Sequence, residues 1–129
     1  MTDWLGMIIP RPLLKKRKAP RISLNEPNQD DLDRIGELEV QGSRLKLPHP
    51  VRVHLQVDDE NSARTAAGVL DKEGYRCKVR AEQDGHWTVI AVIEVVPSKE
   101  RITFIREEMD RVGGEVGGTY LGWDAPIVA

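Results

Sequence analysis

Hydrophobic and polar positions alternate in three stretches of the chain and recur at helical spacing in three others. Val51, Val53, Leu55 and Val57 alternate with Arg52, His54, Gln56 and Asp58, a period of two that predicts a strand with one dry face. Tyr75, Cys77, Val79 and Ala81 alternate with Arg76, Lys78 and Arg80 and predict a second strand. The third expected strand runs from His86 to Val96. Trp87, Val89, Ala91, Ile93 and Val95 share one of its faces, and Thr88, Ile90, Val92, Glu94 and Val96 the other. Being apolar on both sides, it reads as a central strand. Asp84-Gly85, between the second and third strands, is a hairpin signal.

The helical stretches are separated by these strands. From about Gln29 to Val40, within a segment 29–41, Leu32, Ile35 and Leu38 form a narrow apolar stripe. Asn28 or Asp30 is the expected cap, Asp30, Asp31 and Asp33 favour the positive end of the helix dipole, and Gly42 is the stop. Pro48 and Pro50 then return the chain to extended form. A second helix, capped by Asn61 or Ser62, carries Ala63, Ala66, Ala67 and Leu70 and ends at Gly74; its small residues allow close approach to a sheet. Pro97 and Ser98 open a third, with Ile102, Ile105, Met109 and Val112 as its stripe and Gly113-Gly114 as its expected end. A last extended segment is expected over Glu115 to Asp124.

After the first helix the order is strand, helix, strand, strand, helix, strand. This is the ferredoxin-like βαββαβ plan: an α+β two-layer sandwich with a four-stranded antiparallel sheet, both crossover helices on one side, and strand order fourth, first, third, second. The domain is expected over 29–129, including the helix at 29–41, preceded by a basic, proline-rich arm at 1–28.

Charge refines this picture. The chain has 129 residues, 40% hydrophobic and 31% charged, with a formal net charge of -2. Residues 1–21 hold six basic side chains against Asp3, a net of +5, so the remaining residues carry -7. Lys15, Lys16, Arg17 and Lys18 make the arm a solvated linker with a weak contact to RNA or an acidic partner as its other use. Its charges follow its apolar stretch, the reverse of a secretory signal. No apolar run approaches the roughly 20 residues of a membrane span. With one cysteine, Cys77, the chain excludes an internal disulfide and a multi-cysteine zinc site, and a reducing, cytoplasmic setting is expected.

Candidate chemistry is sparse. His49, His54 and His86 stand on separate segments and read as surface histidines. Asp58, Asp59 and Glu60 read as the acidic start of a helix, Ser62 and Ser98 as caps, and Cys77 as an inert thiol turned to the core. Gly113 to Gly118 follows a helix where a phosphate loop would precede one. No catalytic residue, metal ligand or cofactor is expected. What remains is the sheet face away from the helices. Arg52, His54, Arg76, Lys78 and Arg80 flank Ile90 and Val92 there, a surface suited to a partner or a second copy of the chain. Tyr75 and Trp87 fall on the opposite face, which argues against base stacking as RNA-recognition domains perform it.

The closing stretch Gly118-Thr119-Tyr120-Leu121-Gly122-Trp123-Asp124, together with Asp31-Leu32, Gly42, Pro48, Gly74-Tyr75 and Trp87, resembles the RraB family, the regulators of ribonuclease E activity B. The resemblance spans about Asp30 to Asp124. Leu121 stands where the family's Tyr-Asp-Gly-Trp motif has an acidic residue. The resemblance implies a ferredoxin-like fold and a non-enzymatic cytoplasmic regulator that binds a ribonuclease E-like protein and lowers its cleavage of RNA. Within the motif, which closes on Asp124, Gly122 is expected to permit a bulge that turns Tyr120 and Trp123 to the same side, with Trp123 either a buried structural anchor or a partner hot spot. The alternative readings are a dimeric ferredoxin-like sensor of a small ligand and a weak RNA binder acting through the arm.

Overall fold

The computed structural model describes residues 21–129. Asn28 caps helix α1, Gln29–Val40, by accepting from the Asp30 amide, and Gly42, at φ 97°, turns the chain out of it. β1, His49–Val57, follows, and then helix α2, Glu60–Lys72. The cap of α2 is Asp59, whose side chain accepts from the Ser62 amide, and not Asn61 or Ser62. A carboxylate there satisfies an orphan amide and meets the helix dipole at once, where Ser62 would offer only a neutral hydroxyl.

β2, Arg76–Ala81, and β3, Trp87–Val95, form the hairpin announced by Asp84-Gly85, with Gly85 at φ 92°. Ser98 caps helix α3, Lys99–Val116, by accepting from the Arg101 amide. The helix does not stop at Gly113-Gly114. It continues to Val116 and ends on Gly117 in the left-handed conformation, so β4 is confined to Thr119–Asp124. The early glycine works as a spacer: a Cβ on Gly113 would come within 3.3 Å of Leu55 Cδ1, so its absence lets α3 lie close on β1.

The sheet order is β2-β3-β1-β4, all neighbours antiparallel, as the ferredoxin-like plan requires. Val51, Val53, Leu55 and Val57 on β1 are all buried, beside Val89 and Ala91 on β3. Ala63, Ala66 and Leu70 of α2 and Ile102, Ile105, Met109 and Val112 of α3 close over them. Helix α1 packs on α3, and the stretch 21–25 is tied to α3 through Ser23 and Arg21, so these pieces also lie with the helix layer.

The α3–β4 turn yields a paired test. A Cβ at Gly118 would stand 2.8 Å from both the Gln56 carbonyl oxygen and Val57 Cγ1, whereas one at Gly114 would meet nothing within 4 Å. Gly118→Ala is expected to destabilise the domain by about 1–3 kcal/mol. Gly114→Ala is expected to stabilise it by about 0.5–1 kcal/mol. Urea denaturation of both variants measures the two signs.

Candidate functional site

Register places the expected surface residues in rows across the side of the sheet that is left bare among the described residues. One row runs Arg76, Val92, Arg52, Asp124; the next runs Lys78, Ile90, His54, Gly122; the third runs Arg80, Thr88, Gln56. All the sequence-predicted face residues are thereby brought together: Ile90 and Val92, half-buried, lie between Arg76 and Lys78 on one side and Arg52 and His54 on the other. A shallow depression lined by Pro50, Arg52, Val92, Asp124, Ala125 and Pro126 continues the face past the end of β1.

The cations differ in how they are engaged. Arg52 donates to Asp124 from Nε at 3.0 Å and from Nη2 at 2.8 Å, and His54 Nε2 stands 3.0 Å from the other Asp124 oxygen. Burial pushes the Asp124 carboxyl up, but the bonds from Arg52 and His54 outweigh it and hold the group below its ordinary range. Arg80 pairs with Glu82, which also accepts from Thr88 Oγ1 at 2.7 Å. Among the described residues no carboxylate pairs with Arg76 or Lys78.

The closing motif divides between the two sides. Leu55 pairs with Tyr120 and His54 with Gly122, so Leu121 is the extra residue of a β-bulge, with Gly122 at φ 114°. The bulge turns Tyr120 and Trp123 to the helix side, as expected, while Leu121 is exposed and Asp124 faces out with Arg52. Trp123 is buried and its Nε1 donates to Asp31 Oδ1 at 3.2 Å. Arg106 of α3 makes a fork to the same carboxylate, Nη2 to Oδ1 at 2.9 Å and Nε to Oδ2 at 2.8 Å, and its guanidinium lies 5.2 Å from the Tyr120 ring centroid. Asp31 is thus a buried clamp joining α1, α3 and β4. In sequence it was one of three acids in a first turn, with nothing to single it out from Asp30 and Asp33.

Two further buried polar pairs escaped the sequence. Tyr75 donates to Glu108 Oε1 at 2.7 Å, with Arg21 also near that carboxylate; burial first, then the Glu108 charge, pushes the Tyr75 hydroxyl far above its ordinary value. His49 corrects the reading of three surface histidines: it is fully buried, with Nε2 2.6 Å from Ser43 Oγ and Nδ1 2.7 Å from the Leu47 carbonyl. Its imidazole replaces water for the α1–β1 loop, and Ser43 Oγ accepts in turn from the Val128 amide at 2.9 Å, pinning the last residues. His49 stands two residues before Val51 and shares the buried phase of Val51, Val53 and Leu55, so the parity of β1 already pointed to its burial.

Cys77 is half-buried, and burial, followed by the Asp71 charge, pushes its thiol up to about 11, which leaves it a poor nucleophile near neutrality. Among the described residues no cluster of three His, Cys, Asp or Glu side chains is placed to hold a metal, and no helix is long and apolar enough to cross a membrane. Lys15, Lys16, Arg17 and Lys18 lie outside the described residues.

A βαββαβ sandwich closed by a Tyr-Leu-Gly-Trp strand is a ferredoxin-like α+β domain. The model of the RraB family, regulator of ribonuclease activity B, matches residues 28–125. The chain belongs to that family, a family of ribonuclease regulators. No curated protein matches the chain significantly.

Two outcomes test this geometry. Asp31→Asn removes the charge that Arg106 faces and is expected to cost about 2–3 kcal/mol in urea denaturation, with a changed Trp123 emission in the native state. For Asp124, carbon-detected NMR titration is expected to give a midpoint below the unperturbed value of about 3.9. Because the folded group is the more acidic, its contribution to stability is present above the unfolded pKa and lost as pH falls through the folded one. Arg52→Ala moves the midpoint upward; an unmoved midpoint would contradict the ion pair.

Proposed function

We propose that the chain regulates ribonuclease E-type RNA processing in the cytoplasm by direct protein contact, without chemistry of its own. The observation that supports this most is the bare sheet face. Ile90 and Val92 lie half-exposed at its centre and are framed by Arg52, His54, Arg76, Lys78 and Arg80, while the helices among the described residues are committed to the other side. An apolar strip edged by charge matches the anatomy of protein interfaces, where a desolvated centre supplies affinity and a charged rim supplies orientation. The contact belongs to the domain expected over 29–129, onto which residues 21–25 also pack. The arm at 1–28, with Lys15, Lys16, Arg17 and Lys18, adds a long-range electrostatic contribution to it.

Tyr120, Gly122 and Trp123 serve this function indirectly. They anchor β4 to α1 and α3 through Asp31, and Asp124, one residue on, holds Arg52 in position at the face. The half-buried tyrosine and buried tryptophan therefore shape the docking surface without touching the partner.

The test is capture of ribonuclease E by the immobilised full chain, read together with the rate of RNA cleavage. The wild-type chain is expected to retain the nuclease and slow cleavage. Ile90→Glu, which places a charge at the centre of the strip, is expected to weaken retention by about tenfold or more, as loss of a central contact residue does. Unchanged retention by a variant with native circular dichroism would remove the sheet face from the account. Failure of the wild-type chain to retain the nuclease would overturn the reading itself.

A further inference from the structure

β2 is one edge of the sheet. Its six residues pair with β3, and no other described segment forms a backbone hydrogen bond with it. The strand has no bulge, no proline and no positive φ, so its outer row of amide and carbonyl groups is straight and continuous. The opposite edge differs: β4 is bent at Leu121 by the bulge and by Gly122, which blunts it. Among the described residues one regular edge is therefore open to strand addition, and it is the edge that carries Arg76, Lys78 and Arg80.

We propose that the β2 edge takes an extended segment of a partner protein as a fifth strand, and that this segment alternates acidic with aliphatic residues. The proposal rests on the reading of the chain as a protein-binding regulator and specifies what it grips. Strand pairing aligns side chains with period two. Positions of the added strand on the bare face would lie beside Arg76, Lys78 and Arg80, of which the first two have no carboxylate partner among the described residues. Positions of the other parity would lie beside Cys77 and Val79, which are half-buried against the core, and extend that apolar layer.

Charge disposes of the competing occupants. A second copy pairing antiparallel about Lys78 would set Lys78 against Lys78 and Arg76 against Arg80, like charges directly opposed. The chain's own arm carries a net +5 over residues 1–21 and is repelled by the same row. A nucleic acid would leave the amide and carbonyl row of the edge unmatched. It would also meet the Glu94 and Asp124 carboxylates on the face, and among the described residues it would find no aromatic there, since Tyr75, Trp87, Tyr120 and Trp123 are all turned to the helix side.

Fluorescence anisotropy of the full chain with a labelled Glu-Val-Glu-Val-Glu-Val-Glu peptide tests this. The controls are a peptide of the same composition in two blocks, the same alternation with Lys for Glu, and a single-stranded oligouridylate of similar charge. The alternating acidic peptide is expected to bind at least about tenfold more tightly than the block peptide. Its binding should weaken with salt, be lost in Arg76→Glu/Lys78→Glu/Arg80→Glu, and survive in Arg76→Lys/Arg80→Lys. Hydrogen exchange of β2 amides should slow on binding. Equal affinity for both acidic peptides would overturn strand addition. No binding to either would mean that the cations only guard the edge against aggregation, and preferential binding of the oligouridylate would assign the surface to RNA; both outcomes overturn the proposal. Ribonuclease E captured by the wild-type chain in the absence of peptide binding would sink this inference alone, while loss of that capture sinks the reading beneath it.

Discussion

Burial of Val51, Val53, Leu55 and Val57 beneath the helices is the constraint from which the rest of the molecule follows. A strand has only two sides, and committing one of them wholly to the core sends Arg52, His54 and Gln56 to the other. β3 inherits the same phase through its register with β1, and β2 through its register with β3. A slip of one residue anywhere in that chain of pairings would bury Arg76, Lys78 and Arg80 and expose Cys77 and Val79. The apolar pattern of β1 thus sets the chemistry of a surface two strands away.

Asp31 enforces the same division at the other edge. Its carboxylate takes both arms of the Arg106 fork and the Trp123 indole at once, so α1, α3 and β4 are joined on the helix side by one buried anion. An unpaired carboxylate at that depth would be costly, and three N–H bonds from two side chains explain how it is tolerated. The consequence for function is geometric. The first helix and the closing tryptophan are both used up in the helix layer, and neither is available to cover the sheet. The buried Tyr75–Glu108 and Ser43–His49 bonds act likewise, fastening the stretch around Arg21 and the residues around Val128 to the body.

The architecture was legible because it is written in local periodicity. The strand order, the hairpin at Asp84-Gly85, the Asn28 and Ser98 caps and the bulge at Gly122 each follow from a few neighbouring residues. The helix ends were less so: Gly113 and Gly114 have the composition of a stop, but contact with Leu55 and continued hydrogen bonding carry α3 on to Gly117. Long-range polar pairs were not legible at all. Asp31 is 75 residues from Arg106, and Tyr75 is 33 from Glu108, and no pattern along the chain marks one acid of a first turn as the buried one. The face residues themselves could be named from parity, but the engagement of Arg52 by Asp124 and of Arg80 by Glu82, which leaves Arg76 and Lys78 free of carboxylate partners among the described residues, needed three dimensions.

The most direct test of the bare sheet as the working surface is hydrogen exchange with mass spectrometry on the full chain, alone and bound to ribonuclease E. The account predicts slowed exchange confined to peptides covering the sheet strands β1, β2 and β3, with α2 and α3 unchanged. Protection over the helices with the sheet left as it was would contradict it.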